Sequence, residues 1–324
     1  MSETFRWCFI GTGKLANIVA KELENKGGHL VVSVYSRRYE KAVEFAQKHN
    51  AKAYEDVREA IRDTQVDGVY VVTPHNAHYE YVKMAIEEGK PVLCEKAFTT
   101  DAKQAEELFD LAEKKGVYIA EAMWTWFSPV ANQVKKWLDE GAYGKILSVK
   151  ANYHLDVRNY APRLTDPKLA GGMLLDSGVY PITYLYRLFG KPVKVVCRDY
   201  EIENGVDMKE EVDLTFENGK TYTASVSMLD NKGLEYIEIV GDKASTKILF
   251  AHAANKAVLK KGFLNREVFK GSTSYKTEFD AVAKEIKEGL KTSRLVPAEA
   301  TLDIMRIMDE CRKQMDLVYP FEKA

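Results

Sequence analysis

The chain has 324 residues, of which 46% are hydrophobic and 29% charged, and a net charge of −1. That length accommodates two ordinary domains, each with its own core, and the composition excludes a disordered or fibrous chain. The near-zero charge gives no electrostatic reason to expect a nucleic-acid or anionic-membrane partner.

Phe5–Ile10 reads as a short apolar strand, followed by helical spacing through Leu15, Ile18, Val19 and Leu23 that ends at Gly27-Gly28. His29–Tyr35 is a second strand and Lys41–His49 a second helix. Val69–Val72 is a strand closed by Thr73-Pro74, and Tyr79–Glu88 a helix stopped by Gly89. The strand Pro91–Cys94, the helix Asp101–Lys115 with its stop at Gly116, and the strand Val117–Ala120 continue the alternation. Such alternation predicts an α/β domain over residues 1–122, a doubly wound parallel sheet covered on both faces.

From Glu121 the texture changes. The runs Lys145–His154, Val193–Ile202, Glu211–Glu217, Lys220–Leu229, Leu234–Val240, Ser245–Phe250 and Ala257–Lys261 follow one another with few helices between. Asn218-Gly219, between two alternating runs, signals a hairpin. Helices near Lys276–Leu290 and Ala298–Met315 close the chain. Residues 123–324 are therefore expected to form an α+β domain with a large, mostly antiparallel open sheet, its C-terminal helix free to pack back on the first domain. In Lys220–Leu229, Tyr222, Ala224, Val226 and Met228 share a face for packing on helices. The opposite face, Thr221, Thr223, Ser225 and Ser227, is small and polar, either solvated or covered by a second subunit.

Cys8, Cys94, Cys197 and Cys311 are far apart and form no CxxC pair, which suggests reduced thiols rather than disulfides or zinc. The opening MSETFRWCFIGTGK lacks the basic-then-apolar pattern of a secretory leader, and no apolar run is long enough to span a membrane. A cytoplasmic protein is the expectation.

Gly11-Thr12-Gly13-Lys14-Leu15-Ala16 follows the first strand and opens the first helix. It matches G-x-G-x-x-G/A in the context that pattern requires, so a Rossmann-type dinucleotide site is expected there, with the pyrophosphate at the helix N-terminus. The second strand ends in Ser36-Arg37-Arg38, where an NAD site usually carries a carboxylate. A hydroxyl and two guanidiniums attract a 2′-phosphate, which favours NADP over NAD, with NAD still possible because Glu40 is near. Thr73, Pro74, His75, Asn76 and His78 follow another strand end and are candidate cofactor contacts. Either histidine is equally a candidate proton carrier or structural residue. Glu95-Lys96 ends a further strand, where ligands of open α/β sheets bind. No metal site is expected, because the two histidines have no Asp or Cys cluster at suitable spacing.

The stretches GTGKLA, TPHNAH, CEK, EAMWTWFSP and GGMLLDSGVYP, in this order, resemble the glucose–fructose oxidoreductase/inositol dehydrogenase family over essentially the whole chain. Within it the chain is similar to the dimeric dihydrodiol dehydrogenases, which also act as NADP-dependent D-xylose dehydrogenases. The resemblance implies a nicotinamide-dependent dehydrogenase or reductase of CH–OH groups in a sugar, polyol or trans-dihydrodiol. It also implies a homodimer formed through the second domain's sheet. It makes Lys96, Asp176 and Tyr180 the catalytic group, with Glu95 near the nicotinamide. Two departures stand out: Ala97 replaces a proline, and Trp126 replaces an arginine that is cofactor-related in relatives. Trp124, Tyr153, Asp176 and Tyr180 are candidate substrate contacts, with His154, Asp156, Arg158 and Arg163 as further candidates in the cleft. Gly171 and Gly172 are read as allowing close backbone approach, to the cofactor ring among other groups.

A phenol with pKa near 10 is a poor base at pH 7, and a lysine cation beside it favours the phenolate. Tyr180 is thus the expected acid/base and Lys96 its electrostatic partner, although the two roles are exchangeable. Asp176 orients either Lys96 or a second substrate hydroxyl. Keto-sugar reduction and cyclitol oxidation share every motif. A redox-neutral nicotinamide-dependent glycosidase and a nucleotide-sensing regulator are the remaining alternatives.

Overall fold

In the computed structural model, residues 4–158, 161–231, 234–262 and 265–322 are described. The chain divides into two compact units, Met1–Met123 with Ser274–Leu302, and Trp124–Thr273 with Asp303–Ala324.

The first unit runs β1 (Phe5–Ile10), α1 (Lys14–Lys26), β2 (His29–Tyr35), α2 (Tyr39–His49), β3 (Lys52–Tyr54), α3 (Val57–Arg62), β4 (Gly68–Val71), α4 (His78–Glu87), β5 (Val92–Glu95), α5 (Ala102–Lys115) and β6 (Ile119–Ala122). Its six strands are all parallel, in the order β3-β2-β1-β4-β5-β6. The strand order reverses between β1 and β4, so a crevice opens beyond their carboxyl ends. Strands β4, β5 and β6 are buried at every residue, as mostly apolar strands are under helices on both faces, although β5 ends in Glu95 and β6 contains Glu121. The pattern reading misses β3 and α3. β3 is a three-residue, part-exposed edge strand without an apolar run, and α3 is a six-residue helix whose start is marked only by its Asp56 cap, which accepts from the Glu59 N–H.

The helix Tyr275–Lys287 also belongs to this unit. Its Phe279 lies edge-on to Trp7 and Tyr70, with ring centroids at 4.8 and 5.0 Å. Trp7 Nε1 donates to His29 Nδ1 at 3.1 Å, so the other ring nitrogen donates to Asp280 on that helix, at 2.9 Å. Burial pushes the His29 pKa down against the opposing pull of Asp280, which suits a neutral ring linking donor to acceptor.

The second unit contains α6 (Pro129–Asp139), β7 (Ile146–His154), α7 (Val179–Phe189), β8 (Lys194–Glu203), β9 (Val206–Thr215), β10 (Thr221–Ser227), β11 (Glu235–Gly241), β12 (Ser245–Leu249), β13 (Lys256–Lys261) and β14 (Asn265–Lys270). The eight strands lie in the order β14-β13-β12-β11-β7-β10-β9-β8, antiparallel throughout except for β7 with β10. The Asn218-Gly219 hairpin joins β9 to β10, with Thr215 opposite Thr221 and Gly219 at φ 75°. On β10, Tyr222, Ala224 and Val226 are buried while Thr221, Thr223 and Ser225 are not, although Ser227 is also buried. Helix α7 covers the buried face, lying against β7 and β10. The edge strands β8 and β14 are mostly exposed and rich in charge, which discourages further pairing. All four cysteines are free and buried. Among the described residues, no helix is long and apolar enough to cross a membrane.

Among the buried carboxyl groups of the first unit are Glu95 on β5, Glu121 on β6 and Glu278 on the helix Tyr275–Lys287. Glu95 Oε1 accepts from the Tyr70 hydroxyl at 2.5 Å, and Glu121 Oε2 from the Thr301 hydroxyl at 2.8 Å. Burial is the main cause that pushes Glu121 up to about 7 and Glu278 well above the carboxylate range. A folded-state pKa above the unfolded value means that the native state holds the extra proton. Stability from Glu121 is therefore intact below its ordinary value of 4.5 and is lost as pH rises to about 7. The loss amounts to about 3 kcal/mol. Urea midpoints of wild type and Glu121→Gln should diverge in favour of the variant between pH 5 and 7. A difference that stays constant over that range would contradict the assignment.

Candidate active site

The crevice beyond β1 and β4 is a cleft of about 720 Å³, lined among others by Gly11, Thr12, Gly13, Lys14, Ser36, Arg37, Arg38, Thr73 and Pro74. Sequence reading singled out each of these. Gly11 has φ 116°, and a Cβ there would lie 2.4 Å from the Val72 carbonyl oxygen, so only glycine lets β1 turn so close to β4. Nothing lies within 4 Å of where a Gly13 Cβ would be, which leaves the loop open to a ligand. Helix α1 begins at Gly13 with no side-chain cap and no acid in its first turn. Its terminal N–H groups and dipole are thus available to an anion. Thr73 Oγ1 is buried without a partner. These features fit a pyrophosphate, and Ser36, Arg37, Arg38 and Lys41 bring a hydroxyl and three cations to the same cleft with no carboxylate in its lining. Sequence reading missed Lys41 and Asn17. The latter lines the cleft and ties down the glycine loop through bonds to the Thr12 and Gly13 carbonyls. Leu15 does not line the cleft; it packs against the core, as its place on the inner face of α1 dictates.

The segment after β5 carries Lys96, whose peptide bond to Ala97 is cis. Its backbone N–H donates to Glu95 Oε2 at 3.3 Å, so Glu95 braces the start of this loop as well as binding Tyr70. His78 proves to be structural. It is fully buried, with Nε2 2.8 Å from the Thr73 carbonyl and Nδ1 2.9 Å from that of Ala97. It links the ends of β4 and β5, leaving no ring nitrogen for a cofactor. Burial pushes its pKa down despite these carbonyls. His75 is buried as well, edge-on to His78 at 5.7 Å. Asn76 lies with it in the short turn between β4 and α4.

In the second unit, α7 is preceded by a π-helical turn, Leu174–Gly178. Asp176 lies on that turn, and Oδ1 accepts from the Arg163 guanidinium at 2.5 Å. Gly171 and Gly172 approach their own chain, not an open space. A Cβ on Gly171 would meet the Leu164 carbonyl oxygen at 2.6 Å, and one on Gly172 would meet Asp207 Oδ1 at 2.0 Å. Asp207 Oδ2 in turn accepts from the Leu174 N–H at 2.6 Å and fixes the start of the turn.

Tyr180 stacks on Tyr153 at 6.0 Å between ring centroids, with 16° between planes. The His252 ring lies 5.5 Å from Tyr180, 5.9 Å from Tyr153 and 5.7 Å from Trp124. Three residues marked by sequence are thus gathered around one that was not. His154, the next residue on β7, faces the other way, with its nitrogens at Asp230 and Ser225, as strand alternation requires. Asp156 and Arg158 pair with each other. Trp126 is covered by the Arg187 guanidinium of α7, 5.0 Å from its ring centroid, so a cation from another element lies beside Trp126. Arg187 is held there by the Thr125 carbonyl at 3.1 Å and by Asn132.

Residues 5–122 match the model of the GFO_IDH_MocA oxidoreductase family with an NAD-binding Rossmann fold, and residues 131–247 match the GFO/IDH/MocA C-terminal domain. The chain is 31% identical to mouse (Mus musculus) trans-1,2-dihydrobenzene-1,2-diol dehydrogenase, over 98% of this chain and 99% of that one. It is also 31% identical to a scyllo-inositol 2-dehydrogenase (NADP(+)) of Bacillus subtilis (strain 168), with the same coverage. Among solved structures, a 3-ketoreductase from Actinomadura kijaniata in complex with NADP and TDP-benzene superposes with a TM-score of 0.85 at 25% identity, covering 96% of this chain and 98% of that one. The chain therefore belongs to the GFO/IDH/MocA family and is an NAD(P)-dependent oxidoreductase.

Proposed function

We propose that the protein is an NADP-preferring dehydrogenase of a ring-shaped polyol, sugar or trans-dihydrodiol, with Tyr180 as acid/base. The observation that carries this reading is the aromatic site around Tyr180, a phenol among Trp124, Tyr153 and His252. Ring faces suit the C–H surface of a cyclic substrate, and phenol and imidazole suit its hydroxyls. Relatives named for a trans-dihydrodiol and for scyllo-inositol agree with such a substrate. The nicotinamide, when bound, accepts or returns the hydride. The protein's share is to position the carbinol and take up its O–H proton, which Tyr180 does in this reading. Lys96 supplies positive charge that favours the phenolate. Asp176, engaged by Arg163, is a positioning residue for the turn that precedes Tyr180. The small polar groove on the outer sheet face, lined by Lys150, Asn152, Thr223 and Ser225 among others, supports a homodimer formed through that face.

Two measurements test this. Reduced-nicotinamide absorbance with D-xylose, scyllo-inositol and a trans-dihydrodiol should show turnover with NADP⁺. Tyr180→Phe should then lower kcat by ~10²-fold or more, and a near-normal kcat would remove Tyr180 from the proton step. For the cofactor, Arg37→Ala and Arg38→Ala should each raise the KM for NADP⁺ by about 10-fold while leaving that for NAD⁺ nearly unchanged, the effect of losing one charge-assisted bond to a 2′-phosphate. Equal changes for both cofactors would count against NADP preference.

A further inference from the structure

His252 is the unexpected member of the aromatic site. It lies in a short turn, Ala251–Ala253, just after β12. Glu235, at the start of β11, grips it twice: Oε1 accepts from the His252 main-chain N–H at 2.5 Å, and Oε2 pairs with Nδ1. The Glu235 main-chain carbonyl also accepts from Phe250 N–H at 2.8 Å, which fixes the turn. Glu235 itself is buried, whereas the His252 side chain is 27% exposed. A carboxylate on Nδ1 makes that nitrogen the donor, and the tautomer it selects carries its acceptor lone pair on Nε2. Three aromatic rings surround the imidazole at 5.5–5.9 Å.

We propose that His252 determines substrate specificity: its Nε2 accepts a hydrogen bond from a second substrate hydroxyl, one beside the carbinol that reacts at Tyr180. The ligand class is a cyclic compound with adjacent hydroxyls, its C–H face covered by Trp124 or Tyr153. The buried Glu235 fixes the ring through both its main chain and Nδ1, which leaves Nε2 to a ligand hydroxyl that a mono-alcohol bound at Tyr180 does not carry. The arrangement parallels sites that hold a metal-ligating imidazole in one tautomer through a carboxylate, here with a hydroxyl in place of a metal. The inference rests on the proposed function, because it takes Tyr180 as the reacting end of the site.

The test uses NADP⁺ with trans-1,2-cyclohexanediol and with cyclohexanol, a pair differing by one hydroxyl; the mono-alcohol is read as a competitive inhibitor where its turnover is slow. Wild type should prefer the diol. His252→Phe should raise the diol KM by ~10-fold or more, leave the constant for cyclohexanol within about 3-fold, and change kcat little, because an unpaired hydroxyl penalises only the substrate that carries it. His252→Gln, which keeps an acceptor, should restore part of the preference. Glu235→Gln should weaken it in the same direction. Equal changes for both ligands, or full diol preference in His252→Phe and His252→Gln, would overturn the role of His252 while leaving Tyr180 in place. If circular dichroism shows that His252→Phe has not folded, the same comparison of the two ligands is made with His252→Gln and decides the matter. Absence of turnover by wild type with the diol, D-xylose and scyllo-inositol alike would overturn the proposed function and the inference together.

Discussion

The passage of Gly11 across the end of β4 is the constraint on which the first unit's site depends. With φ at 116° and the Val72 carbonyl oxygen 2.4 Å from where a Cβ would be, the chain turns directly from β1 into α1. That turn points the uncapped start of the helix into the crevice left by the reversal of strand order. Thr73 and the Ser36-Arg37-Arg38 corner reach the same crevice because they end the neighbouring strands. The second unit repeats the device. Gly172 also has φ 116°, with Asp207 where a side chain would be, and Asp207 then holds the Leu174 N–H at the start of the π turn. In both units a missing Cβ brings a polar group against the backbone, and the functional segment begins immediately afterwards.

Much of this was legible in the sequence, and the reasons differ by element. The parallel sheet was legible because its strands are buried on both faces and read as plain apolar runs. Ser36-Arg37-Arg38 was legible because the end of β2 is a fixed station in that fold. The strand β3 was not, since three part-exposed residues carry no periodic signal. The π turn was not, because an i→i+5 bond pattern has no compositional cue. Tyr153 and His154 were both candidates from sequence. Alternation guarantees that only one of two adjacent strand residues faces α7, but pattern alone does not say which. His252 and Glu235 lie seventeen positions apart and meet only because β11 and β12 pair with Tyr236 opposite Leu249. For His78 the sequence left cofactor contact, proton carrier and structural residue open, and only the fold brings its two ring nitrogens to the Thr73 and Ala97 carbonyls.

Both units keep carboxyl groups in places where water would normally be demanded. Glu278 in the first, and Asp207 and Glu210 in the second, all have burial as the main cause that raises their pKa. Each lies near backbone or side chains leading to a candidate site: Asp207 beneath the turn before α7, and Glu278 electrostatically coupled to Glu95, whose other oxygen braces Lys96. Asp207 Oδ2 accepts from the Leu174 N–H, whereas both carboxyl oxygens of Glu278 are buried without a hydrogen-bond partner, so holding the proton there avoids the cost of a buried charge.

The single parallel pairing in the second sheet, β7 beside β10, bears on how the molecule assembles. Parallel neighbours cannot be joined by a tight turn, and here the connection contains α7 and the whole β8–β9 hairpin. The helix that bears Tyr180 is therefore the crossover itself. Closing so long a loop costs chain entropy before any contact rewards it. Tyr180 and Tyr153 meet where that crossover lies directly on β7, so the aromatic site sits inside the loop that the β7–β10 pairing closes.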